Sequence, residues 1–533
     1  MSNFKKIIFS LLVVFSFQTA FTQTSYPAFS VTAYDPASTG YYFIVPFIPN
    51  TSVYPTHMIL DSVGHVVYYK QMNVLNSGDF KIQLNEFMTY SWANKFYVMD
   101  STFTIVDSVR CRNNIITDTH DMEMLPNGHF LLLGSEYVTM DLSMYNYFGP
   151  NHNQPGSATA NVRCAVVQEQ DANDNVVFEW HSSDYFSFSD VDPQFMNNPS
   201  NVDMTHTNSV FVDDDGNIII SSRHLDEITK INRTDSTIMW RLGGNANQFT
   251  FTNDPVHFLG QHHARRIDNG HLTLFDNGRA GNNYHYATGK EYALDENLMT
   301  ATLAWSYIED SSSFSVSMGD VQRLPNGNTV IGYGNLPTKN YMFVVADPAG
   351  NKVFEVTFLD TMRSYRAFNY PTLPWMLDRP QIDCYMINTQ LFLDAGAGYS
   401  SYKWSTGDTT QVIAVSAADT FNVFVANGNG GFISSEYLVI TDPATYCNVT
   451  ASESIPVENN FAIFPNPVSN ELRIDLPADA QEHFVQIFDA TGKCIFSKQE
   501  NQADHKLIIP VQNLPAGAYY LLINGNGKKF IKQ

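Results

Sequence analysis

A short pattern recurs four times between residues 100 and 340 of this sequence. Each copy has a head residue, an apolar step, a turn that ends in glycine and an alternating strand, and the four copies read HDMEMLPNGHFLLLG, HTNSVFVDDDGNIIIS, HHARRIDNGHLTLFD and GDVQRLPNGNTVIGY. The head-to-glycine separation is 128 − 120 = 8, 270 − 262 = 8 and 327 − 319 = 8 residues, and it is 216 − 206 = 10 in the second copy. Asn-Gly tips suit tight hairpins because both residues accept positive φ. The pattern predicts a series of β-hairpins built on one plan.

A second series of hairpins alternates with the first. Its members read HMILDSVGHVVYYK, VVQEQDANDNVVFEW, KINRTDSTIMWRLGG and VVADPAGNKVFEV. Hairpin pairs that recur over ~40–60 residues are typical of the four-stranded blades of a β-propeller, so we predict about six blades within residues 24–380. The intervals between heads, 206 − 120 = 86, 262 − 206 = 56 and 319 − 262 = 57 residues, are long for one blade, so loops or an extra hairpin must intervene.

The composition agrees with an all-β chain. Aromatic residues make up 14% of the 533 residues and charged residues only 16%, and long Leu/Ala/Glu/Lys stretches that would favour helices are absent. The predicted fold class is all-β: a six-bladed β-propeller, then an immunoglobulin-like β-sandwich at 381–446, a linker at 447–458 and a small C-terminal β-sandwich at 459–533.

The first 23 residues predict a secretory signal peptide, because two lysines precede an apolar run from Ile7 to Phe17. That run is shorter than the ~20 residues that cross a membrane, and no later segment is long and apolar enough. We therefore expect an exported mature chain without a transmembrane segment. In an oxidising compartment, Cys384 and Cys447, which bracket the 381–446 module, are the best candidates for a disulfide.

The net charge limits the partners of this chain. At −23 it argues against nucleic acid, whose phosphates would be repelled, and it disfavours long sulfated polysaccharides for the same reason. A small anion that enters a local basic pocket is still compatible with this charge.

Three of the four repeat heads are histidines. Residues at equivalent positions in successive blades lie at the same depth around one axis, so we expect His120, His206 and His262 to converge on a central channel. One such histidine alone would more often be structural. Three at one register are hard to ascribe to filling a core, and they favour a functional site.

An arginine and an amide belong to the same predicted site. Arg223 follows His206 by 223 − 206 = 17 residues, at the end of the paired hairpin. Strands rarely hold arginine unless it binds an anion or a carboxylate. Asn208 shares a strand face with His206, and its amide can donate to an oxyanion.

The second histidine and the arginines of the third copy are harder to place. In an extended strand, His263 points away from His262, so we expect it behind the site or exposed. Arg265 and Arg266 diverge in the same way, one toward the pocket and the other into solvent, and Arg265 is our candidate for substrate binding. We treat His224 and His257 as structural.

Three histidines also suit a metal ion such as zinc. The arginine and the amide beside them fit an oxyanion better, because a cation site should avoid a guanidinium at short range. An anion site is the first interpretation and a metal site the second.

At these residues the sequence resembles the bacterial arylsulfate sulfotransferase family. The matching elements, in the family order, are the His-Asp before LPNG, the H-x-N-S-V strand, the S-S-R hairpin, W-R-L-G-G, and Q-H followed by D-N-G and F-D-N-G. The resemblance covers roughly residues 100–370. It implies a six-bladed propeller in which a channel histidine takes a sulfuryl group from an aryl sulfate ester and passes it to a phenol. It implies no cofactor, because the family does not use phosphoadenosine phosphosulfate.

The resemblance also implies roles for individual residues. The Q-H motif makes His262 the nucleophile that forms a sulfohistidine. His120 and His206, with Asn208 and Arg223, match residues that hold the sulfuryl oxygens and assist proton transfer. Here a second histidine follows the Q-H motif, which is a departure from the family pattern.

The C-terminal segment resembles the type A sorting domain of type IX secretion. The matching runs are F-P-N-P-V, D-A-T-G-K, L-P-A-G-A-Y and the terminal K-K-F-I-K-Q. The resemblance implies that the type IX secretion machinery is a partner, and that the protein crosses the outer membrane to the cell surface or the medium.

Three functions remain open at this point. The first is sulfuryl transfer from an aryl sulfate to a phenol. The second is a non-catalytic propeller that binds a small anion or a glycan. The third is a metal-dependent hydrolase or lyase that uses the same histidines.

Overall fold

The structure, a computed structural model, describes residues 26–33, 40–49, 51–147, 154–278, 286–309, 314–336, 341–447, 461–475, 483–489, 494–500, 506–523 and 526–533. The predicted signal peptide, and all of the predicted linker except its first residue, lie outside these ranges. Within them, regular structure consists of β-strands and four short 3-10 turns, at Ser182–Asp184, Phe188–Asp190, Pro193–Phe195 and Arg223–Leu225. The all-β class is confirmed. The six-blade count and the immunoglobulin-like assignment stay predictions.

The N-terminal strands form sheet 2 and the first three strands of sheet 1, and the first of them joins a later sheet. These strands are β1 Phe29–Ala33, β2 Tyr41–Ile44, β3 Thr56–Leu60, β4 Val66–Gln71, β5 Gly78–Ile82, β6 Met88–Trp92, β7 Lys95–Met99 and β8 Ile105–Val109. Sheet 1 contains β2, β3 and β4 in order, and sheet 2 contains β5 to β8 in order.

Sheets 3 and 4 contain the first two histidine heads. Their strands are β9 Ile116–Met124, β10 Phe130–Met140, β11 Ala160–Gln170, β12 Val176–His181, β13 Asn201–Asp203, β14 Thr207–Val212, β15 Ile218–Ser222, β16 Glu227–Ile231 and β17 Ile238–Gly243. Sheet 3 is β9 to β12 with β13 parallel to β11, and sheet 4 is β14 to β17.

Sheets 5 and 6 follow. Their strands, and the strand that closes sheet 1, are β18 Thr250–Thr252, β19 His262–Arg266, β20 Leu272–Asp276, β21 Thr288–Asp295, β22 Thr300–Tyr307, β23 Asp320–Arg323, β24 Thr329–Gly332, β25 Tyr341–Ala346, β26 Lys352–Phe358 and β27 Ala367–Tyr370. Sheet 5 is β19 to β22 with β18 parallel to β22. Sheet 6 is β23 to β26, and β1 adds to β26 at its outer edge. Strand β27 pairs with β2, so the end of this region completes sheet 1.

The turns form as the sequence predicts. The glycines that end four hairpin turns, Gly128, Gly216, Gly270 and Gly327, have φ angles of 83°, 84°, 81° and 87°. These are left-handed conformations that a side chain would strain.

The first strands of successive sheets follow one another in a closed circle. Strand β5 contacts β2 and β9, β14 lies between β9 and β19, and β23 lies between β19 and β27. A separate apolar core fills each gap between neighbouring sheets, including the gap between sheet 6 and sheet 1. This arrangement brings the heads of β9, β14 and β19 to one central region.

Each of these three first strands carries an irregularity at its head. Pairing with the second strand shifts register opposite Leu132–Gly134 in sheet 3, between Thr207 and Ser209 in sheet 4, and between His262 and Arg265 in sheet 5. Such bulges bend a strand and re-aim its side chains. The strict alternation used to predict side-chain directions does not hold at these points.

The 381–446 module has its own core and also extends sheet 1. Its strands are β28 Asp383–Ile387, β29 Gln390–Asp394, β30 Tyr402–Trp404, β31 Val412–Val415, β32 Asp419–Phe421, β33 Val423–Ala426, β34 Phe432–Ser434 and β35 Leu438–Ile440. Strand β34 pairs with β4, so β30, β33 and β34 continue sheet 1. A disulfide joins Cys384 to Cys447, as the sequence led us to expect.

The C-terminal unit consists of two small sheets around a separate apolar core. Its strands are β36 Ala462–Phe464, β37 Glu471–Asp475, β38 His483–Phe488, β39 Cys494–Glu500, β40 Lys506–Pro510, β41 Gly517–Ile523 and β42 Asn526–Lys532. The strand orders are β36-β37-β40 and β39-β38-β41-β42. No helix among the described residues is long and apolar enough to cross a membrane.

Candidate active site

The repeat brings two of the predicted histidines into contact. His120 lies in β9, His206 directly precedes β14, and their ring centroids are 5.0 Å apart. His206 has a φ of 44°, which is uncommon for a residue with a side chain and marks the bulged head. Both side chains are partly buried.

An aspartate precedes each of these two histidines and binds its ring. Oδ1 of Asp118 accepts a hydrogen bond from Nδ1 of His120, and Asp203 Oδ2 lies 3.1 Å from Nδ1 of His206. Burial lowers the pKa of His120, but the charge of Asp118 and its hydrogen bond outweigh burial, so the pKa is raised above its usual value. Burial dominates at His206, whose pKa is lowered. His120 is therefore the ring that keeps a proton more readily.

Arg163 links the two aspartates. Its Nη2 lies 2.9 Å from Asp118 Oδ2 and its Nη1 lies 3.5 Å from Asp203 Oδ2. The parallel pairing of β11 with β13 sets Arg163 opposite Asp203. A single guanidinium therefore contacts the aspartate partners of both histidines.

His262 has an amide where the other two histidines have a carboxylate. Its Nδ1 lies 2.7 Å from Oδ1 of Asn277, whose own Nδ2 donates to the carbonyl of Met318. The backbone N–H of Met318 donates to Nε2 of His262 at 3.2 Å. The proton of the ring is therefore on Nδ1, and Nε2 carries a lone pair.

The environment of His262 keeps its ring neutral. The side chain is buried, at 1% exposure. Burial, followed by the positive charge of Arg223 and by His206, holds the pKa of His262 well below its usual range. His120 adds a smaller effect of the same sign. Arg223, His206 and His120 therefore each act on the charge of His262.

Arg223 is held by three neighbours. Its Nη2 donates to the carbonyl of Val316 at 2.8 Å, and its Nη1 lies 3.1 Å from Nε2 of His224. The guanidinium carbon lies 4.8 Å from the ring centre of Phe195. These contacts direct the guanidinium toward a cavity of about 590 Å³ that Arg223 lines.

His224, which the sequence interpretation treated as structural, lies at the centre of this arrangement. Its ring stacks on Phe195 at 4.0 Å and lies 4.6 Å from His206. Nδ1 donates to the carbonyl of Asp203 at 2.7 Å, so Nε2 accepts from Arg223. Burial lowers the pKa of His224 to about 3, and this keeps the ring neutral. His224 orients the guanidinium of Arg223.

Two of the three predicted substrate-binding residues, Asn208 and Arg265, bind other parts of the protein. Asn208 is fully buried, donates to the carbonyl of Gln261 and accepts from the backbone N–H of His263. Arg265 donates to Asp121 at 2.5 Å. These groups fix the strand that carries His262 and are not placed against the cavity beside Arg223.

His263 is not exposed, which leaves the expectation that it lies behind the site, and Arg266 differs from the expectation of a solvated side chain. His263 is 3% exposed with a φ of 54°, so the chain is not extended there and both adjacent histidines are buried. Arg266 binds Asp213 and Glu296 and is not solvated. The bulge in β19 accounts for the conformation at His263, and the two carboxylates account for Arg266.

Sequence reasoning missed several residues of the site. Asn277 directly follows β20 just as Arg223 directly follows β15, and this equivalence was a signal that could have found it. The aspartates in DTH and DMTH were a second signal. No sequence pattern pointed to Arg163, which reaches the site through the parallel pairing of β13.

The metal interpretation has one geometric basis. Ligand atoms of Asp203, His206 and His224 lie within 4.8 Å of one another. However, Arg223 already donates to His224, and Arg163 lies beside Asp203. Two guanidiniums that cannot lose a proton repel a cation at this position. The donor set fits an anion better.

No curated protein matches the chain. Among solved structures, a protein of unknown function from Bacteroides caccae is 10% identical, with 62% of this chain and 98% of that chain covered and a TM-score of 0.39. A catalytically inactive virginiamycin B lyase from Staphylococcus aureus with quinupristin is 10% identical, with 62% and 100% covered and a TM-score of 0.32.

Family models give a clear result for two parts of the chain. Residues 462–533 match the secretion system C-terminal sorting domain, which indicates export across the outer membrane by the type IX secretion machinery, to the cell surface or the medium. Residues 32–366 match the arylsulfotransferase model, and this match covers all the histidines and the arginine described above. Because it spans more than half of the chain, the protein belongs to the arylsulfotransferase family.

Proposed function

We propose that the protein transfers a sulfuryl group from an aryl sulfate ester to a phenolic acceptor through a sulfohistidine at His262, without phosphoadenosine phosphosulfate. The observation that carries the proposal is the state of His262: a neutral ring with its proton fixed on Nδ1 by Asn277 and a lone pair on Nε2. A neutral imidazole is a competent nucleophile. Family membership supports the reaction class.

In the first half of the reaction, Nε2 of His262 attacks sulfur while the bond from sulfur to the aryl oxygen breaks. The ring becomes positively charged, and Asn277 Oδ1 accepts from its Nδ1–H. The leaving phenolate takes a proton from His120, whose pairing with Asp118 favours the protonated ring. Arg223 offers two N–H groups to the sulfuryl oxygens.

In the second half, the acceptor phenol gives its proton to the now neutral His120 and attacks sulfur. The bond from sulfur to Nε2 breaks, and His262 returns to its neutral state. Charge spreads over three oxygens in each transition state, so fixed donors supply most of the acceleration. The N–H of Met318, which donates to Nε2 in this structure, is a backbone donor close to those oxygens. In the proposed intermediate, the sulfuryl group replaces the N–H of Met318 as the partner of Nε2.

Asn208, His263 and Arg265 have a supporting role in this proposal. Together they hold the segment from Gln261 to Arg265 against sheet 4 and against Asp121. Their substitution affects activity through the position of His262.

The test is release of nitrophenol from para-nitrophenyl sulfate in the presence of a phenol. We expect wild-type protein to be active and His262→Ala to be inactive. His263→Asn loses part of the activity, and His271→Asn, on the hairpin turn of the same strand pair, serves as the control. An active His262→Ala protein would refute the assignment of the nucleophile.

A metal-dependent hydrolase or lyase is the second candidate, because Asp203, His206 and His224 cluster. Activity that is abolished by a chelator and restored by zinc would favour it over sulfuryl transfer. Binding of para-nitrophenyl sulfate without any release of nitrophenol would instead favour a non-catalytic anion-binding propeller.

A further inference from the structure

A segment outside the repeat forms one wall of the cavity beside Arg223. Residues between His181 and Asn201 join sheet 3 to sheet 4 through three 3-10 turns, whereas sheets 1 and 2 are joined by the few residues between Gln71 and Gly78. This segment accounts for part of the long first interval between heads. It supplies Gln194, Phe195 and Asn197 to the cavity.

The wall that this segment builds is rich in amides. Gln194, Asn197 and Asn201 line the cavity, and their side-chain amides form no hydrogen bond to another described residue. Tyr137, which is 51% exposed, stands at the same opening. Ligand pockets are usually lined mainly by apolar groups with a few polar ones, and the balance here is the reverse.

The charged residues of the lining are already accounted for. Arg163 is neutralised by Asp118 and Asp203, and His224 is a neutral acceptor for Arg223. Arg223 is assigned to the sulfuryl group. The rest of the lining is therefore uncharged, and it presents both donors and acceptors.

We propose that this cavity binds the unreactive part of a substrate, and that this part is a neutral, hydroxyl-rich group such as the sugar of a phenolic glycoside. The inference rests on the proposed function for the placement of the reacting phenol. An apolar aryl group would cover the amides without pairing them, and buried polar groups without partners cost binding energy. Hydroxyl groups pair with amide donors and acceptors alike. A volume of about 590 Å³ accommodates a group of this size.

The experiment compares two acceptors by calorimetry, in the absence of any sulfate donor, so that no reaction occurs. The acceptors are hydroquinone glucoside and para-butylphenol, which differ in the polarity of the unreactive part. Wild-type protein is expected to bind the glucoside about tenfold more tightly. Gln194→Leu and Asn197→Leu each weaken glucoside binding by roughly 3- to 10-fold and leave butylphenol binding unchanged or tighter. Gln154→Leu, a substitution of an exposed amide outside the cavity, is the matched control.

Equal affinity for the two acceptors, or glucoside binding that survives both leucine substitutions, would overturn the inference. Sulfuryl transfer is measured separately with para-nitrophenyl sulfate. If wild-type protein transfers nothing yet binds the glucoside through these amides, the proposed function fails and the ligand class stands. If transfer occurs with butylphenol and glucoside alike and the variants behave as wild type, the proposed function stands and the inferred ligand class fails.

Discussion

Three histidines at equivalent positions of the repeat differ in the balance between burial and their hydrogen-bond partner, and this balance sets the charge that each ring favours. His120 has a carboxylate, which favours its protonated form, and His262 has the amide of Asn277 and lies deep inside the protein. A general acid and a nucleophile need these opposite states. In the proposed mechanism, a single repeated residue type serves two roles because its neighbours differ.

The pH dependence of kcat/KM should show this division. His262 is active when neutral, and its lowered pKa keeps it neutral below the usual histidine range, so the acid limb lies below about 6.5. His120 is active when protonated, and its raised pKa moves the alkaline limb above that value. We expect a plateau around neutral pH when rates are measured with para-nitrophenyl sulfate. A maximum confined to a narrow band at about 6.5 would contradict the two shifts.

A second prediction concerns His224, which orients Arg223. In His224→Phe the ring still stacks on Phe195, but Arg223 loses the acceptor at Nη1, and we expect kcat to fall by roughly tenfold or more. His224→Gln supplies a side-chain oxygen as acceptor and should recover part of that loss. Near-equal kcat values for both variants, with folding verified by circular dichroism, would show that the ring only fills space.

At the scale of elements, equivalent ion pairs connect neighbouring sheets. Glu169 of sheet 3 binds His129 and, across to sheet 4, Arg233. Glu291 of sheet 5 binds His271 and, across to sheet 6, Arg323. Both histidines follow the glycine of a hairpin turn. The Asn-Gly-His sequence therefore forms the turn and also binds the glutamate that connects two sheets.

This arrangement predicts a loss of stability in Glu169→Gln. The carboxylate is 3% exposed, and its charged hydrogen bonds are worth about 1.5–3 kcal/mol each. Burial raises the pKa of Glu169, but Arg233 and His129 outweigh burial and lower it. The contribution is therefore full above the unfolded pKa of about 4.3 and is lost as pH falls through the lower folded pKa.

Urea unfolding at neutral pH measures this effect, with Glu471→Gln as the control, since Glu471 and Arg473 form an exposed pair at 4.0 Å. If both substitutions changed the free energy of unfolding equally, the pairs between sheets would contribute no more to stability than an exposed pair does.

The repeat made the strands, the turns and the convergence of the histidine heads predictable from sequence. Alternation failed at His263, because a bulge and a φ of 54° break the extended strand there. The role of His224 could not be anticipated, since it lies in a 3-10 turn after the strand and acts through Arg223. The amide-rich cavity wall was equally hidden, because it belongs to a connection that does not repeat.

At the scale of the whole molecule, the module after the propeller region is tied to it. Strand β34 continues sheet 1, Phe432 stacks on Tyr69 at 5.1 Å, and Arg379 donates to Ser434. The C-terminal unit has a separate core and matches a sorting domain. The 381–446 module is therefore joined to sheet 1, whereas the C-terminal unit has a core of its own.

Two truncations test this difference. A chain that ends at Cys447 should keep its sulfuryl transfer activity and melting temperature, and it should fail to reach the medium or the cell surface. A chain that ends at residue 380 uncovers the edge of β4 and the ring of Tyr69, and we expect its melting temperature to fall by roughly 5 °C or more. If both truncated chains melted together with the full chain, the 381–446 module would not support sheet 1.

The central claim is that His262 carries the sulfuryl group between donor and acceptor. The most direct measurement is mass spectrometry of the peptide covering residues 259–278 after alkaline quenching of a reaction with para-nitrophenyl sulfate and no acceptor. We expect the added mass of one sulfuryl group on His262, and we expect it to disappear when a phenol is added before the quench. An unmodified peptide during active turnover, or a sulfuryl group on His263, would contradict it.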